Sequence, residues 1–310
     1  MRNTFAKTFY EAAKNDPRLC VVVADISPAG SMEQFRKEYP KRFINTGVAE
    51  QIMIGMCAGM AMRGLRPFAY TIATFALFRP FEFVRDDLCY QGLPVTVVGV
   101  GGGVTYSTLG GTHHAMEDVA VASSMPNMRV IAPCDPEEAR AATQWCIAQE
   151  EGPVYLRLAK AGEPVITAGA PSPFTFGRLR FLRTGSDLCI LGYGAVLKLG
   201  MDAATALEAR GISAAVASVH TLKPLDRDGL ANILSKFQRV IVIEEMVPRG
   251  GLGEAVRGLA WETAARVRIE CLSLKDEFIH VYGKHEELLA AHGISVQDVL
   301  ARCEKLIREE

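Results

Sequence analysis

The chain has 310 residues, of which 49% are hydrophobic, and this is enough for two ordinary domains with their own cores. Its formal charge of -1, with acidic and basic residues spread along the whole length, provides no basic surface for nucleic acid or for an anionic membrane. We therefore expect a small-molecule substrate, with neither nucleic acid nor a membrane as a partner.

The N-terminal segment and the cysteines predict a cytoplasmic protein. In MRNTFAKTFYEAAK, Phe5 and Phe9 lie on one helical face, and the continuous apolar core of a signal peptide is absent. No apolar run reaches the length of a membrane-spanning helix. The eight cysteines are far apart, without a C-x-x-C pair, which favours reduced thiols and predicts no metal site in this chain.

In the first half of the chain, short runs rich in valine and isoleucine alternate with helical patterns. The runs are LCVVVAD, RFINTG, RPFAYTI, LPVTVVGVG, MRVIAP and GPVYLRL. Apolar strands separated by helices indicate a parallel sheet that is covered on both faces. We therefore predict an α/β domain at residues 1–165.

Residues 160–186 interrupt this alternation with prolines, glycines and basic residues, and we assign a linker to 166–182. The alternation then resumes with LCILGYG, ISAAVASVH, RVIVIEE and VRIECLSL. A second, smaller α/β domain is predicted at 183–310, with a last helix that starts at Ser295 and has Asp298 in the capping-box position. The predicted fold class is α/β, with two doubly wound, mainly parallel sheets.

Two glycine-rich stretches follow predicted strands. Residues 99–103, GVGGG, do not fit the dinucleotide-binding pattern G-x-G-x-x-G. In GYGAVL at 192–197, Leu197 replaces the third small residue, and the next strand ends in SVH, without an acid to bind a ribose. Neither a P-loop nor a G-x-S-x-G elbow occurs, so the sequence disfavours nicotinamide, P-loop and common serine hydrolase chemistry.

Glu50 lies between a short β-like run and an almost wholly apolar helical segment, in NTGVAEQ followed by IMIGMCAGMAM. A carboxylate moved into apolar surroundings costs several kcal/mol unless it is paired or protonated, so a functional role is one interpretation. The alternative is structural, because the dipole and the free N–H groups of a helix favour an acid in its first turn.

TLGGTHHAMED, at residues 108–118, is a second candidate site. Gly110 and Gly111 allow the backbone to approach a ligand, and Thr112 is placed to cap a helix that begins near His114. Adjacent helical residues face different directions, so His113 and His114 would make a poor metal-chelating pair. We expect one of them to face a cleft and the other to pack.

Together, these stretches resemble the pyrimidine-binding domain of transketolases and deoxyxylulose-phosphate synthases. The resemblance runs from RFINTGVAEQ through TFALF, LPVTVVGVGGG and GGTHHAMED to GPVYLRL. In the second half, TLKPLD at 221–226, EEMVPRGGLGEAV at 244–256 and KDEFIHVYGKHEELLAAHGIS at 275–295 resemble the family's C-terminal domain. The resemblance covers nearly the whole chain, in the family's order.

The resemblance implies that the chain binds thiamine diphosphate. The family's G-x-x-E glutamate bonds to N1′ of the aminopyrimidine and promotes formation of the thiazolium ylide, and Glu50 matches it. Phe75 and Phe78 would pack on the pyrimidine ring, with Phe81 one turn further on. Without the resemblance, these phenylalanines would be interpreted as core aromatic residues at helical spacing.

Further matches concern the thiazolium ring and the substrate. Asp25 and Ile26, at the end of a predicted strand, would lie near the thiazolium. His113 matches the histidine that contacts the reacting oxygens of the substrate, with Thr112 beside it. Arg157 in VYLRL matches a phosphate-binding arginine.

The substrate positions also depart from the family. Leu109 stands where the family's D-G-P-T-H run has an aspartate, and Ala29 and Gly101 stand where it has a phosphate-binding serine and histidine. These departures imply an unusual sugar substrate. They leave open which sugars react and whether they are phosphorylated.

No G-D-G occurs in the chain, although full-length members bind the diphosphate through Mg²⁺ with a G-D-G…N motif. The resemblance therefore implies a separate N-terminal-half subunit that binds most of the Mg²⁺ and diphosphate, in an α2β2 heterotetramer. The expected function is transketolase-like transfer of a two-carbon ketol unit between sugars, in carbohydrate metabolism, with activity only in the presence of the partner.

Two other functions stay open. The β subunit of a 2-oxoacid dehydrogenase E1 has the same two domains, the glutamate and a separate α subunit, but it passes an acyl group to lipoyl. GGTHH and TLKPLD favour transketolase over E1. The second alternative, a catalytically silent regulatory subunit, is disfavoured because Glu50, Phe78 and His113 are all present.

Overall fold

The computed structural model describes residues 1–27 and 30–308. The strands in these ranges are β1 Leu19–Val23, β2 Phe43–Asn45, β3 Arg66–Ile72, β4 Thr96–Val100, β5 Arg129–Ile131, β6 Val154–Leu158, β7 Arg180–Arg183, β8 Leu188–Gly192, β9 Ala214–Ser218, β10 Thr221–Lys223, β11 Arg239–Ile243 and β12 Arg268–Leu272. They form a seven-stranded sheet, in the order β10-β5-β6-β4-β3-β1-β2, and a five-stranded sheet, in the order β12-β11-β8-β9-β7.

The helices cover these sheets and begin and end as follows. They are α1 Arg2–Ala13, α2 Ser31–Glu38, α3 Glu50–Met62, α4 Ala73–Leu77, α5 Phe81–Phe83, α6 Asp118–Ser124, α7 Pro136–Ala148, α8 Leu197–Glu208, α9 Arg227–Lys236, α10 Leu252–Glu262, α11 His285–Ala291 and α12 Val296–Arg308, with π-helical turns at Val84–Tyr90. Ser295 caps α12, because its Oγ accepts a hydrogen bond from the Asp298 amide at 3.2 Å, as the capping-box pattern predicts.

The predicted fold class is confirmed, because parallel pairing dominates both sheets. Every residue of β1, β4, β6, β8 and β9 is buried, since helices cover both faces of these strands. Among residues 1–27 and 30–308, no helix combines the length and the apolar character needed to cross a membrane.

Two short antiparallel strands were not predicted. β10, within TLKPLD, crosses from the second half of the chain and pairs with β5 at the edge of the first sheet. β7 lies at the end of the segment assigned to the linker and pairs with β9. Both are edge strands of three or four residues and lack a clear apolar run. The domain boundaries at 165 and 183 stay predictions.

The parallel arrangement brings the carboxyl ends of the first sheet's strands to one edge. Asp25 follows β1, Thr46 follows β2, helix α4 with Phe75 follows β3, and the glycine run 101–103 follows β4. Segments that are distant in sequence therefore meet at this edge, where open α/β sheets bind their ligands.

Candidate active site

Glu50 is the first residue of α3, and its side chain is almost fully buried. Only 3% of the residue is exposed, whereas a glutamate at the start of a surface helix is ordinarily in contact with water. In the next turn, Met53 and Ile54 are packed in the core. The helix therefore holds one carboxylate in place, at the edge where the strands end.

Arg79 neutralises this buried carboxylate. Its Nη1 donates a hydrogen bond to Glu50 Oε1 at 2.8 Å, and its guanidinium carbon lies 4.0 Å from the centre of the Phe75 ring. The Arg79 side chain is 45% exposed, so water reaches one side of the ion pair. Sequence reasoning missed Arg79, because nothing in TFALFRPF distinguishes it from a surface arginine.

The three phenylalanines lie on consecutive turns after β3. Phe75 lies in α4, Phe78 follows its last residue and Phe81 begins α5, and all three are partly buried. Phe78 and Phe81 pack against the core cluster that supports α3. Phe75 is connected to Glu50 through Arg79. This segment therefore contributes Arg79, which pairs with Glu50, and phenylalanine rings that are only partly buried.

His113 lies beside the same aromatic segment. Its ring centre is 5.2 Å from that of Phe75, in an edge-on arrangement, and Thr112 Oγ1 lies 2.9 Å from its Nδ1. Burial, and then the positive charge of Arg79, lower the pKa of His113 below its usual value. A neutral imidazole is therefore favoured near neutral pH, and it can accept or donate a hydrogen bond.

The prediction that Thr112 caps a helix near His114 is wrong, because α6 begins only at Asp118. Gly103 and Ala115 form an isolated antiparallel bridge with N···O distances of 3.0 and 2.8 Å, which keeps the intervening chain in turns. His114 is buried while His113 is partly exposed, so the two side chains do have different surroundings.

Asp25 and Ile26 lie one residue beyond the end of β1, and a hydrogen-bonded asparagine links Asp25 to the loop before Glu50. Asn45 Oδ1 accepts hydrogen bonds from the amides of Asp25, at 3.0 Å, and Gly47, at 2.9 Å. Asp25 is exposed and has a φ of 47°, a left-handed conformation that aspartate adopts more readily than most other non-glycine residues. Ile26 is half-buried. Contact of either residue with a cofactor stays a prediction.

Arg157 is buried, and several of its hydrogen bonds are made within the chain. Its Nε donates to Asp118 Oδ2 at 2.8 Å, and its Nη2 donates to the Glu245 carbonyl at 3.0 Å. Tyr155 donates to the same Asp118 oxygen at 2.7 Å. Arg157 therefore joins the two halves of the chain. Its predicted contact with a substrate phosphate stays a prediction.

The structure gives a physical reason for one departure from the family pattern. A Cβ at Gly101 would lie only 2.2 Å from the Tyr106 ring, so no side chain fits there unless Tyr106 moves. Leu109 is about half exposed on the turn before His113. Ala29 lies outside the described residues.

These residues fit the pyrimidine end of thiamine diphosphate. Glu50 provides a buried carboxylate for a ring nitrogen, and Phe75 provides an aromatic surface within reach of both Arg79 and His113. In the described part of the chain, no group of three or more His, Cys, Asp or Glu side chains is placed to hold a metal ion.

Family models match both halves of the chain. Residues 1–162 match the transketolase pyrimidine-binding domain, and residues 177–299 match the transketolase C-terminal domain. A subunit of the apulose-4-phosphate transketolase of Phocaeicola vulgatus is 32% identical, over 96% of this chain and 94% of its own length. The 6-deoxy-6-sulfo-D-fructose transketolase subunit SqwH of a Clostridium species is 34% identical, over 97% of this chain and 92% of its own length.

A solved structure agrees with these matches. The chain superposes on a split gene transketolase, described as an inactive beta4 tetramer, with a TM-score of 0.86 and 34% identity over 99% of this chain and 97% of the other. The 1-deoxy-D-xylulose-5-phosphate synthase of Thermomicrobium roseum is 32% identical over 97% of this chain, which spans 48% of that longer protein. By sequence and by fold, the chain belongs to the transketolase family.

Proposed function

We propose that the chain is the C-terminal-half subunit of a split transketolase, which transfers a two-carbon ketol unit between sugars with thiamine diphosphate as cofactor. The observation that carries the proposal is the buried carboxylate of Glu50, paired with Arg79 at the edge of the sheet and connected through Phe75 to His113. The relatives from Phocaeicola vulgatus and from the Clostridium species support the proposal, since both are transketolase subunits.

When bound, thiamine diphosphate would supply a nucleophilic ring carbon and an electron sink for the carbon–carbon bond chemistry of ketol transfer. Glu50 would hold a proton between its carboxylate and a nitrogen of the pyrimidine ring. The hydrogen bond from Arg79 fixes the orientation of the Glu50 carboxylate. His113, favoured as the neutral imidazole, would bond to an oxygen at the reacting carbon of the sugar.

The surface around the site supports a partner subunit. Large apolar side chains are exposed beside Glu50, at Val48 (70%) and Ile52 (60%). Others are exposed near the turn before His113, where the Tyr282 ring is 78% exposed and lies against Gly110. Exposed apolar side chains that surround a site are typical of an interface. We propose that the N-terminal-half subunit covers them and binds the diphosphate and Mg²⁺, in an α2β2 heterotetramer.

The proposal includes a cytoplasmic location. All eight cysteines are free thiols, and seven of them are buried. Thiols that are not paired are favoured in a reducing compartment. The sugars that the complete enzyme accepts would determine in which pathway of carbohydrate metabolism it acts.

The first prediction is that the chain alone binds thiamine diphosphate weakly. Since the diphosphate carries most of the cofactor's charge, a subunit that contacts only the pyrimidine should lose most of the affinity. Calorimetry should detect tight, Mg²⁺-dependent binding in the mixture with the partner, and binding at least about a hundredfold weaker in the chain alone. Equal affinity in both samples would exclude dependence on a partner.

The second prediction concerns the substrate. Leu109 replaces an aspartate, and Gly101 has no space for a side chain, so the pocket lacks two polar partners that a sugar phosphate would use. Each lost hydrogen bond to a charged group costs about 1.5 to 3 kcal/mol, which corresponds to a loss of roughly a hundredfold or more in binding for the two together.

We therefore expect the reconstituted pair to use xylulose 5-phosphate and ribose 5-phosphate poorly, and to prefer a sugar with another hydroxyl pattern or without a terminal phosphate at one end. The measurement is a comparison of kcat/KM for the two pentose phosphates with values for modified and non-phosphorylated sugars. Pentose phosphates that react as fast as the best modified sugar would show that the two replacements do not determine specificity.

A further inference from the structure

A cavity lies apart from the residues assigned to catalysis. It has a volume of about 560 Å³, and its wall is formed by the segment after β6, the loop between β8 and α8, and the start of α11. The carboxyl ends of β6 and β8 therefore point towards one space, although the two strands belong to different sheets. This is the position at which α/β sheets bind small molecules, and the volume suits one small metabolite.

The wall of the cavity carries positive charge from three separate segments. Lys160 follows β6, Lys198 lies in the first turn of α8, and Lys284 immediately precedes α11. Lys198 pairs with Asp202. In the described part of the chain, no carboxylate lies within ion-pairing distance of Lys160 or Lys284, so two ammonium groups remain available to a ligand.

Two acidic side chains also face the cavity, but Glu163 is paired, and Glu286 offsets only one of the two unpaired lysines. Glu163 is paired with the amino terminus of Met1. Glu286 lies next to His285, whose Nε2 is 2.7 Å from Oε1 of the buried Glu245. The pKa of His285 is raised, since the effect of Glu245 outweighs the burial that lowers it. The lining therefore favours an anion over a cation.

The glycine loop GYGAVL, which does not fit dinucleotide binding, forms part of this wall. Gly194 has a φ of 66°, which turns the chain from β8 into α8. Ala195 and Val196 then line the cavity directly before the first residue of α8. The first three amides of α8 donate hydrogen bonds to the carbonyls of residues 194–196, so the helix end contributes only its partial positive charge, beside the lysines, to the binding of a phosphate group.

We propose that this cavity binds a small organic phosphate, distinct from the sugar substrate, as an effector of the enzyme. Lys160 would form the link to the catalytic residues. Its Nζ lies 5.1 Å from the centre of the Tyr106 ring, and this ring is 6.3 Å from that of His113. A bound phosphate draws Lys160 away from Tyr106, and this weakens the contact that supports the His113 turn.

The test uses the full chain without its partner, so that no activity is needed. Glycerol 3-phosphate is titrated calorimetrically, with glycerol as the uncharged control. We expect saturable binding of the phosphate at one site per chain and no binding of glycerol. Lys160→Gln and Lys284→Gln should each weaken binding by at least about fivefold, because each removes one charge-assisted contact. The exposed Lys37→Gln, on α2, should change it by less than twofold.

A variant that fills the space provides a second measurement. Ala161 is an exposed residue of the lining, so Ala161→Trp should leave the circular dichroism spectrum unchanged and abolish binding. Absence of saturable glycerol 3-phosphate binding to the wild-type chain would overturn the proposal. Binding that persists in Ala161→Trp and in a variant that combines Lys160→Gln with Lys284→Gln would place the phosphate elsewhere and would overturn the proposal as well.

Discussion

Replacing Glu50 with glutamine should reduce ketol transfer by roughly a hundredfold to ten-thousandfold, the usual effect of removing a group that transfers a proton in catalysis. The amide keeps the size and polarity of the side chain, and it can still accept a hydrogen bond from Arg79 at the position of Oε1. It cannot share a proton with the pyrimidine nitrogen as a carboxyl group does. Folding and assembly with the partner should therefore be unchanged.

The effect of Glu50 on cofactor activation can be measured directly. The readout is hydrogen–deuterium exchange at the reactive ring carbon of thiamine diphosphate bound to the reconstituted enzyme. Glu82→Gln is a matched control, because Glu82 is an exposed glutamate that lies in the first turn of α5. This control should exchange at the wild-type rate. Wild-type exchange in Glu50→Gln as well would remove Glu50 from the mechanism.

Replacing Asp118 with alanine should lower the free energy of unfolding by about 3 to 5 kcal/mol, because it leaves the buried Arg157 guanidinium without its charged partner. Asp118 is fully buried and accepts hydrogen bonds from both Arg157 and Tyr155. Urea denaturation followed by circular dichroism measures the change. The milder Tyr155→Phe removes only the hydroxyl bond and should cost about 1 to 2 kcal/mol.

Asp86→Ala is the control for this prediction. Asp86 pairs with Arg85 at 2.6 Å, but both side chains are about half exposed, so the pair should contribute less than about 1 kcal/mol. If Asp118→Ala were no more destabilising than Asp86→Ala, the buried Asp118–Arg157 pair would have no structural importance.

The regular part of the fold could be predicted from the sequence because it repeats a simple pattern. Strands such as β4 and β8 are wholly buried, so they appear as continuous apolar runs between helical segments. β7 and β10 were missed for the opposite reason. They are short edge strands, half-buried in part, and β10 pairs with a strand more than eighty residues earlier, which no local pattern indicates.

The candidate site likewise contains residues that the sequence indicated and residues that it did not. Burial of Glu50 could be expected from the apolar residues that follow it, and the family resemblance indicated Phe75 and His113. The partner of Glu50 could not be found in this way, because Arg79 is a solvent-exposed residue whose position depends on the turn between α4 and α5. The prediction of a helix starting near His114 was wrong because the bridge between Gly103 and Ala115 is a tertiary contact, which local sequence does not indicate.

The most direct test of the proposed function is reconstitution of the activity from two separately purified chains. The chain is titrated into a fixed amount of a partner subunit that carries the G-D-G…N motif, with thiamine diphosphate, Mg²⁺ and a panel of ketose donors and aldehyde acceptors. Ketol transfer should be absent with either chain alone and should rise until the two subunits are equimolar. Full transfer by the partner alone, or no transfer at any ratio with any sugar in the panel, would contradict the assignment of this chain as the catalytic half that carries Glu50.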